Sequence, residues 1–263
     1  MASDPFTPKD GYGQVIYAFF PDMPKIIRLN EHRVLKSAIT NPTETEAMEF
    51  VAANTTIPVP KVYETRWSDN RADTSQIVME YIPGQSLDKV WGKLTHNKRM
   101  SICHQLRDYL SQLAKLKRTT TPARIESANG GPVTVGLRYP RLGGPFDSEK
   151  EFNDFLVGLN DPEYPSPFKQ YARSGMKDNH DIHFAHGDFS PRNIMVDESS
   201  GEVKAVLDWD RAGWYPEYWD QNRILSENPG LQDYFPYLNH IVPFNYAQEV
   251  LALGYLLRVT GDG

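Results

Sequence analysis

The sequence predicts an α+β fold with a strand-rich N-terminal lobe and a mainly helical C-terminal lobe. Two observations carry this prediction. Short runs rich in Val, Ile and aromatic residues dominate before Pro83-Gly84, and apolar residues recur at helical spacing after it. Because a Pro-Gly pair ends regular structure, we place the boundary there, giving lobes of residues 1–82 and 83–263. A chain of 263 residues is long enough to bury the core that two lobes need.

The N-terminal lobe is predicted to contain strands and one helix. The strand-like runs cover residues 14–20, 25–29, 33–39, 61–67 and 76–82. A helix is predicted at residues 43–53, where Ala47, Phe50 and Val51 share one side. Residues 55–60 contain two prolines, which force an extended segment after this helix.

The C-terminal lobe shows its clearest helical pattern at residues 97–117, where Ile102, Leu106, Tyr109 and Leu113 recur at three- and four-residue intervals. Further helices are predicted at 149–159 and 246–259. The glycine- and proline-rich residues 118–146 are predicted to be irregular. A strand at 182–185 leads into His186, and residues 193–197 and 202–207 are predicted to form a β-hairpin.

Composition and charge exclude several classes of protein. The net charge of −6 argues against general binding to nucleic acid or to an anionic membrane. The apolar runs are too short to span a bilayer, and the N-terminus lacks a secretory pattern. The single cysteine, Cys103, cannot form an internal disulfide and is predicted to be a core or half-buried residue, not a nucleophile. We therefore expect a cytoplasmic protein, whose oligomeric state the sequence does not indicate.

The residues with a clear chemical pattern lie between His186 and Asp210. Phosphoryl transfer from a nucleotide needs a carboxylate for the attacking hydroxyl, oxygen ligands for Mg²⁺ and a cation for the phosphates. Four residues separate Asp188 from Asn193, which is the spacing of a kinase catalytic loop. The hairpin that starts at Asn193 returns the chain to Asp208, whose carboxylate can share a metal with that amide. His186 is predicted to organise the loop, and Asp210 either touches substrate or a second metal, or is structural.

The segment His186–Asn193, followed by Leu207-Asp208-Trp209-Asp210, resembles the aminoglycoside phosphotransferase and choline kinase-like family. The resemblance extends to residues 34–36, 44–48, 57–63 and 77–84, and parts of it resemble filamentous-fungal members. It implies a protein-kinase-like two-lobe fold. It also implies an enzyme that uses ATP or GTP and Mg²⁺ to phosphorylate a hydroxyl of a small molecule.

The resemblance also implies roles for individual residues. Lys36 would contact the α- and β-phosphates and pair with Glu44, with Glu46 as the second choice. Asp188 would be the catalytic base, and Asn193 and Asp208 would hold Mg²⁺, most plausibly two ions. Met79 would be the gatekeeper residue, and the Glu80 carbonyl and the Ile82 N–H would contact the nucleotide base. Asp220 would support the catalytic loop.

The acceptor is not identified by the sequence. Asp210, Trp214 and Glu217 are candidate contacts for it, and the acceptor could be an aminoglycoside, an amino alcohol or a sugar. An ordinary core role for the aromatic residues of this region is the alternative.

One departure from the family pattern concerns the turn at residues 20–24, Phe-Pro-Asp-Met-Pro, which lacks the glycines that let backbone N–H groups approach phosphates. This favours either weak nucleotide binding or a different register for the first strand. It also keeps open a pseudokinase-like module that binds nucleotide or metabolite without turnover. A protein kinase is the weakest hypothesis, because no D-F-G or A-P-E segment follows.

Overall fold

The structure is a computed structural model, and it describes residues 4–18, 25–38, 42–67, 75–118, 123–136, 140–158, 167–226, 231–242 and 245–260. In these ranges a five-stranded antiparallel sheet near the N-terminus is followed by helices that surround three small sheets. The predicted α+β class is confirmed.

The five strands of the N-terminal sheet lie in the order β1-β2-β3-β5-β4. They are β1 (Val15–Ala18), β2 (Lys25–Arg28), β3 (Arg33–Ala38), β4 (Val62–Arg66) and β5 (Ser75–Glu80). Every predicted strand of this lobe is present, although most are shorter than predicted. β5 ends at Glu80 instead of residue 82, because the Tyr81 N–H donates to His32 O and the chain then leaves the sheet. The predicted turn at 20–24 lies outside the described residues.

The alternation of side chains along β3 decides what Lys36 faces. Val34 and Lys36 lie on one face of the sheet, and Val34 is paired with Met79 of β5. Both apolar residues belong to the main core, which the sheet shares with the rest of the chain. Leu35 and its partner Val78 lie on the other face and pack in a separate cluster. Lys36 therefore enters the space between the sheet and the C-terminal part of the chain.

Helix α1 (Thr43–Asn54) ends within one residue of its predicted boundary. Ala47 and Val51 are fully buried and lie four residues apart, so one face of the helix packs on the core. Glu44 lies in the first turn of α1, where the helix dipole favours a carboxylate, and it is buried like Ala47 and Val51. Glu46 lies two positions on and is exposed.

The Pro83-Gly84 segment carries the chain from the first sheet to a second one. There β6 (Gln85–Ser86) pairs with β11 (Ile194–Asp197), which forms the predicted hairpin with β12 (Glu202–Val206). Gly84 has a φ of +127°, and an added Cβ would lie 2.8 Å from Val196 O. Only glycine fits this crossing.

Seven helices follow β5 in the described part of the chain. They are α2 (Leu87–Val90), α3 (His96–Lys115), α4 (Glu149–Val157), α5 (Pro167–Ser174), α6 (Trp219–Ser226), α7 (Leu238–Ile241) and α8 (Ala247–Thr260). The predicted helices at 97–117, 149–159 and 246–259 correspond to α3, α4 and α8. The end of α4 is set by Gly158, which has a left-handed φ of 65°. Residue 159 lies outside the described residues.

Five further strands build the small sheets. They are β7 (Glu126–Ser127), β8 (Val133–Val135), β9 (Arg141–Gly143), β10 (Ile182–Ala185) and β13 (Gly213–Pro216). β10 has the predicted bounds, whereas the prediction of an irregular segment at 118–146 was only partly right. β13 was not predicted, because all four of its residues are buried and the strand shows no polar alternation. It lies between β10 and β7.

Two further predictions concern the whole chain. Among the described residues, no helix is both long and apolar enough to cross a membrane. Cys103 is fully buried in α3, and burial raises the pKa of its thiol to about 12, so the prediction of a core cysteine is confirmed.

Candidate active site

Three charged side chains from distant parts of the chain meet at the inner face of the N-terminal sheet. Lys36 Nζ lies 2.8 Å from Glu44 Oε1 and 2.6 Å from Asp208 Oδ1. Glu44 is 1% exposed and the Lys36 side chain is 12% exposed. Of the two predicted partners of Lys36, the structure therefore brings Glu44 to it, while Glu46 stays on the exposed side of α1.

Charge determines the protonation of this group, which we call the charged centre (Lys36, Glu44 and Asp208). Burial alone lowers the pKa of Lys36, but the carboxylates of Glu44, Asp208 and Asp210 outweigh burial and raise that pKa above its ordinary value. Burial raises the pKa of Asp208, but the charge and hydrogen bond of Lys36 outweigh it and hold the pKa below its ordinary range. Lys36 and Asp208 are therefore both ionised at neutral pH.

The backbone at Asp208 is strained in a way that aims its carboxylate. Its φ of 67° is in the left-handed region, which costs a non-glycine residue roughly 1–2 kcal/mol. The chain beside it is fixed, since the Leu207 N–H donates to Asn193 O at 2.8 Å and the Trp209 indole donates to Val206 O at 2.9 Å. Strain held in place by its surroundings is typical of functional sites.

Asp188 begins a tight loop that closes on its own carboxylate. Ser190 N–H donates to Asp188 O at 2.8 Å, and Asn193 Nδ2 donates to the same carbonyl at 3.0 Å and to Asp188 Oδ2 at 3.2 Å. Arg192 Nη2 lies 2.8 Å from both carboxylate oxygens. The loop therefore holds Asp188 in one orientation, and Asn193 keeps its amide oxygen for another partner.

His186 and Asp220 support this loop from behind. The Asp188 N–H donates to His186 Nδ1 at 3.1 Å, and His186 Nε2 donates to Leu207 O at 3.0 Å. These bonds require a neutral imidazole with its proton on Nε2, which agrees with the way burial lowers the pKa of His186. Asp220 accepts the His186 and Gly187 N–H groups at 2.9 and 2.8 Å. Both predicted loop-organising residues are thus in contact with the loop.

Gly187 explains the glycine in the His-Gly-Asp sequence. Its φ is +79°, and an added Cβ would lie 2.4 Å from Arg211 O. Its own carbonyl accepts from Arg223 Nε at 3.0 Å. The loop therefore passes directly against the segment that follows Asp208, which keeps Asp188 and Asp208 at one site.

The predicted metal ligands fit Mg²⁺ in their chemistry. Asn193 and Asp208 offer amide and carboxylate oxygens, the ligands that this ion prefers. Among the described residues, no group of three or more His, Cys, Asp or Glu side chains is arranged to hold a metal alone. Proteins usually bind Mg²⁺ through one or two side chains together with water and nucleotide phosphates, so a two-residue set agrees with that mode.

The predicted base-binding segment lies at the end of β5. Met79 is 8% exposed and belongs to the main core beside Val34. The Lys61 N–H donates to the Glu80 carboxylate at 3.2 Å, so the Glu80 side chain is engaged within the sheet and not directed at a nucleotide base. Ile82 follows outside the sheet and is half-buried. The Glu80 and Tyr81 N–H groups donate to Lys61 O and His32 O, so the Ile82 N–H is the backbone donor of this segment that has no bond among the described residues.

The three acceptor candidates lie in different places. Asp210 lies beside the charged centre, and part of its surface is exposed. Desolvation of its carboxyl by the surrounding protein, followed by the charge of Asp208, raises the pKa of Asp210 to about 7. Trp214 is 7% exposed and packs against Phe184 with ring centroids 5.3 Å apart, so it is a core residue. Glu217 lines a separate cavity of about 330 Å³, together with Asp220. The structure brings only Asp210 of these three to the charged centre.

The family model for the phosphotransferase enzyme family, APH, matches residues 21–234. This range covers most of the chain and contains the charged centre, the Asp188 loop and Asp220. The chain belongs to this family. The family predicted from the sequence is thus confirmed, as is the prediction of an enzyme of the phosphotransferase class. Among curated proteins, none matches this chain significantly.

Solved phosphotransferase structures share the fold of this family member. A crystal structure of aminoglycoside-3′-phosphotransferase of type VIII has a TM-score of 0.61 and 17% identity, covering 94% of this chain and 92% of that one. The GDP complex of aminoglycoside 2′-phosphotransferase-IIIa has a TM-score of 0.65 and 13% identity, covering 95% and 85%. A thermostable mutant of APH(4)-Ia with ADP and hygromycin B has a TM-score of 0.57 and 13% identity, covering 96% and 95%. The predicted kinase-like fold is confirmed.

Sequence reasoning missed two features of this phosphotransferase-family site. The first is the contact of Arg192 with Asp188, although a four-residue spacing of opposite charges is a known signal for such a pair. The second is a pair of contacts made by Arg211 and Ala212, the two residues that follow Asp210. Arg211 Nη1 donates to Gly136 O at 3.0 Å, and Ala128 N–H donates to Ala212 O at 2.9 Å. No sequence signal links these segments, because Arg211 and Gly136 are 75 residues apart along the chain.

Proposed function

We propose that this family member transfers the γ-phosphoryl group of ATP or GTP to a hydroxyl of a small molecule. The observation that carries the proposal is the contact of Lys36 with both Glu44 and Asp208, across 172 residues of chain in the second case. Together with the Asp188 loop, it supplies every charged part that phosphoryl transfer requires. The nucleotides in the related structures support the same class of ligand.

Each of these side chains has a task in the proposed reaction. The Lys36 ammonium, held by Glu44, binds phosphate oxygens of the nucleotide. Asp188 orients the acceptor hydroxyl and takes its proton as the oxygen attacks phosphorus. Asn193 and Asp208 would hold Mg²⁺, which when bound neutralises charge on the phosphates. His186 and Asp220 keep the Asp188 loop in place.

The nucleotide base is proposed to lie against Met79, with Glu80 O and the Ile82 N–H as its backbone contacts. The burial of Met79 and the engagement of the Glu80 carboxylate with Lys61 support this placement. The same backbone pattern can serve adenine or guanine, so binding of both nucleotides should be measured. The predicted lobe boundary at 82/83 belongs to this proposal, and it is supported by the end of β5 at Glu80 and the start of β6 at Gln85.

The acceptor is proposed to approach Asp188 past Asp210 and the neighbouring residues Arg211 and Ala212. Asp210 places a carboxylate at this entrance, which suits an acceptor that carries an amine or several hydroxyl groups. The related enzyme bound to hygromycin B supports an acceptor of the aminoglycoside, amino-alcohol or sugar type. Trp214 is left out of this proposal because it is buried in the core.

The experiment that tests the proposal is a panel of aminoglycosides, amino alcohols and sugars, assayed with ATP and GTP by coupled detection of the diphosphate. The variant Asp188→Asn keeps the size of the side chain but cannot accept the proton. We expect turnover to fall by roughly 10²–10⁴-fold while nucleotide binding persists. Asp108→Asn, an exposed carboxylate on α3, is the matched control. Full activity of Asp188→Asn towards an identified acceptor would show that the base is misassigned.

A second candidate is a module that binds nucleotide or metabolite without turnover. The glycine-free sequence at residues 20–24 favours it, because two of its five residues are prolines without N–H groups. A Mg²⁺-dependent thermal shift with ATP, followed by a hydrolysis assay, separates the two functions. Binding without any hydrolysis or transfer would favour the module.

The cytoplasmic location predicted from the sequence is also part of the proposal. A buried thiol at Cys103 supports it weakly, since such a residue needs no oxidising compartment. Fractionation of cells that produce the full-length protein is the direct measurement.

A further inference from the structure

Arg192 holds the carboxylate that the proposed function uses as its base. Its Nη2 atom lies 2.8 Å from Asp188 Oδ1 and 2.8 Å from Oδ2. The contact is set by the loop, because a 3₁₀ turn at Pro191–Asn193 returns the chain onto Asp188 and places Arg192 four residues after it. Asp188 is therefore a paired carboxylate in the structure.

The two partners differ in exposure. The Arg192 side chain is 47% exposed, whereas the Asp188 side chain is 7% exposed. Arg192 therefore lies on the solvent side of the pair. A change of partner costs a half-exposed arginine little desolvation, because water already solvates part of its guanidinium.

The hydrogen-bonding capacity of Asp188 favours such a change, because both of its carboxylate oxygens already accept from Arg192. A carboxylate offers about four acceptor sites. Arg192 occupies two of them and Asn193 Nδ2, at 3.2 Å from Oδ2, occupies a third. An acceptor hydroxyl must come within about 2.6–3.2 Å of one oxygen to give up its proton. The hydroxyl and the guanidinium therefore compete for the same carboxylate.

The phosphoryl group in transfer offers Arg192 another partner. Its oxygens carry negative charge that a guanidinium matches in geometry and charge. Lys36 contacts Glu44 and Asp208 at the sheet side of the site, where it is proposed to bind the α- and β-phosphates. Arg192 belongs instead to the loop that carries the base, so it approaches from the acceptor side.

We propose that Arg192 exchanges partners, from Asp188, its partner in the structure, to the γ-phosphate of a bound nucleotide. The exchange rests on the proposed function and assigns a residue to it. In the step itself, the acceptor oxygen forms a bond to phosphorus and the bond from phosphorus to the β–γ bridging oxygen breaks. The acceptor proton passes to Asp188, which Arg192 has uncovered, and the diphosphate leaves with the bridging oxygen.

Binding measurements test the exchange without an identified acceptor. Calorimetry with Mg²⁺ would compare a non-hydrolysable triphosphate with the diphosphate of the same base, for wild type and for Arg192→Gln. We expect Arg192→Gln to weaken triphosphate binding roughly 10–100-fold, the range for a lost charged hydrogen bond, and diphosphate binding less than about twofold. Arg192→Lys keeps the charge and should lie between. Arg66→Ala, an arginine of similar exposure paired with Asp4, should change neither affinity.

A second variant separates contact from charge. Removing Arg192 also uncovers the negative charge of Asp188, which could repel the γ-phosphate by itself. In an Asp188→Asn background this repulsion is absent, so a loss of triphosphate affinity that persists in the double variant supports the contact. Equal weakening of both nucleotides, no weakening, or a loss that disappears in the double variant overturns the exchange. If the wild-type protein binds neither nucleotide, the proposed function itself is overturned. That result is distinguishable from the three outcomes above, in which wild-type binding is intact.

Discussion

The charged centre can be tested by removing its cation. Lys36→Met keeps the length and apolar stem of the side chain but leaves Glu44 buried without its partner. Glu44 is 1% exposed, and its Oε2 atom is buried with no hydrogen-bond partner among the described residues. Removing one member of a buried ion pair costs about 3–5 kcal/mol. Asp208 is 39% exposed and can be rehydrated, so we expect a value near 3 kcal/mol.

The loss should be visible in thermal unfolding and should depend on pH. About 3 kcal/mol corresponds to a fall of roughly 6 °C or more in Tm for a chain of this size. In the variant, burial without a cation raises the pKa of Glu44 above its unfolded value. Ionised Glu44 then destabilises the fold at high pH, and protonation relieves this as the pH falls towards 4–5, a window set by the carboxyl's ordinary pKa of about 4.3. The gap between wild type and variant should therefore be larger at pH 8 than at pH 5.

A double variant identifies the cause. Adding Glu44→Gln to Lys36→Met removes the orphan charge at constant size, so it should restore at least half of the lost stability but none of the nucleotide affinity. Lys150→Met is the control, because its pair with Asp154 is at the surface and worth less than about 1 kcal/mol. A Lys36→Met protein that unfolds at the wild-type temperature, or a double variant whose losses simply add, would refute the reasoning.

Three further predictions concern the loop and its surroundings. In Gly187→Ala the new Cβ would lie 2.4 Å from Arg211 O, so we expect denaturant titrations to show a loss of roughly 2–4 kcal/mol in the free energy of unfolding. Gly254→Ala is the control: its Cβ meets nothing within 4 Å, and the variant should be neutral or stabilising. Asp220→Asn loses one of two amide contacts to the loop, and it should lower kcat while nucleotide affinity stays unchanged. In metal-free protein, Asp210→Asn should raise Tm at pH 8 but not at pH 5, since the pKa of Asp210 is raised to about 7 and its ionised form is the unfavourable one.

The part of the site that the sequence predicted is the part with fixed spacing. The distance along the chain from Asp188 to Asn193 is set by one loop, and that from Asn193 to Asp208 by one hairpin, so neighbouring positions in space follow from the sequence. Lys36 and Glu44 are also local, being separated by the end of β3 and the start of α1. The choice of Glu44 over Glu46 needed the structure, because it depends on which side of α1 is buried.

The acceptor side was not predictable for the opposite reason. β13 pairs with β10 and β7 across about 30 and 90 residues of chain, and the partners are too short to leave a pattern in the sequence. From the sequence, Trp214 could be an acceptor contact or a core residue, and β13 buries it. The prediction of aromatic acceptor contacts was a statement about composition, and tertiary packing decides which aromatic residues are exposed.

The distribution of charge in the site favours an enzyme over a passive binding module. Four carboxylates lie around two cationic side chains, and these residues are Glu44, Asp188, Asp208, Asp210, Lys36 and Arg192. Such a site repels a bare triphosphate, but it matches a triphosphate that enters with a divalent cation. A module that only holds a metabolite gains nothing from this excess of negative charge. It also has no use for a candidate base such as Asp188, which is oriented by its own loop and paired with Arg192.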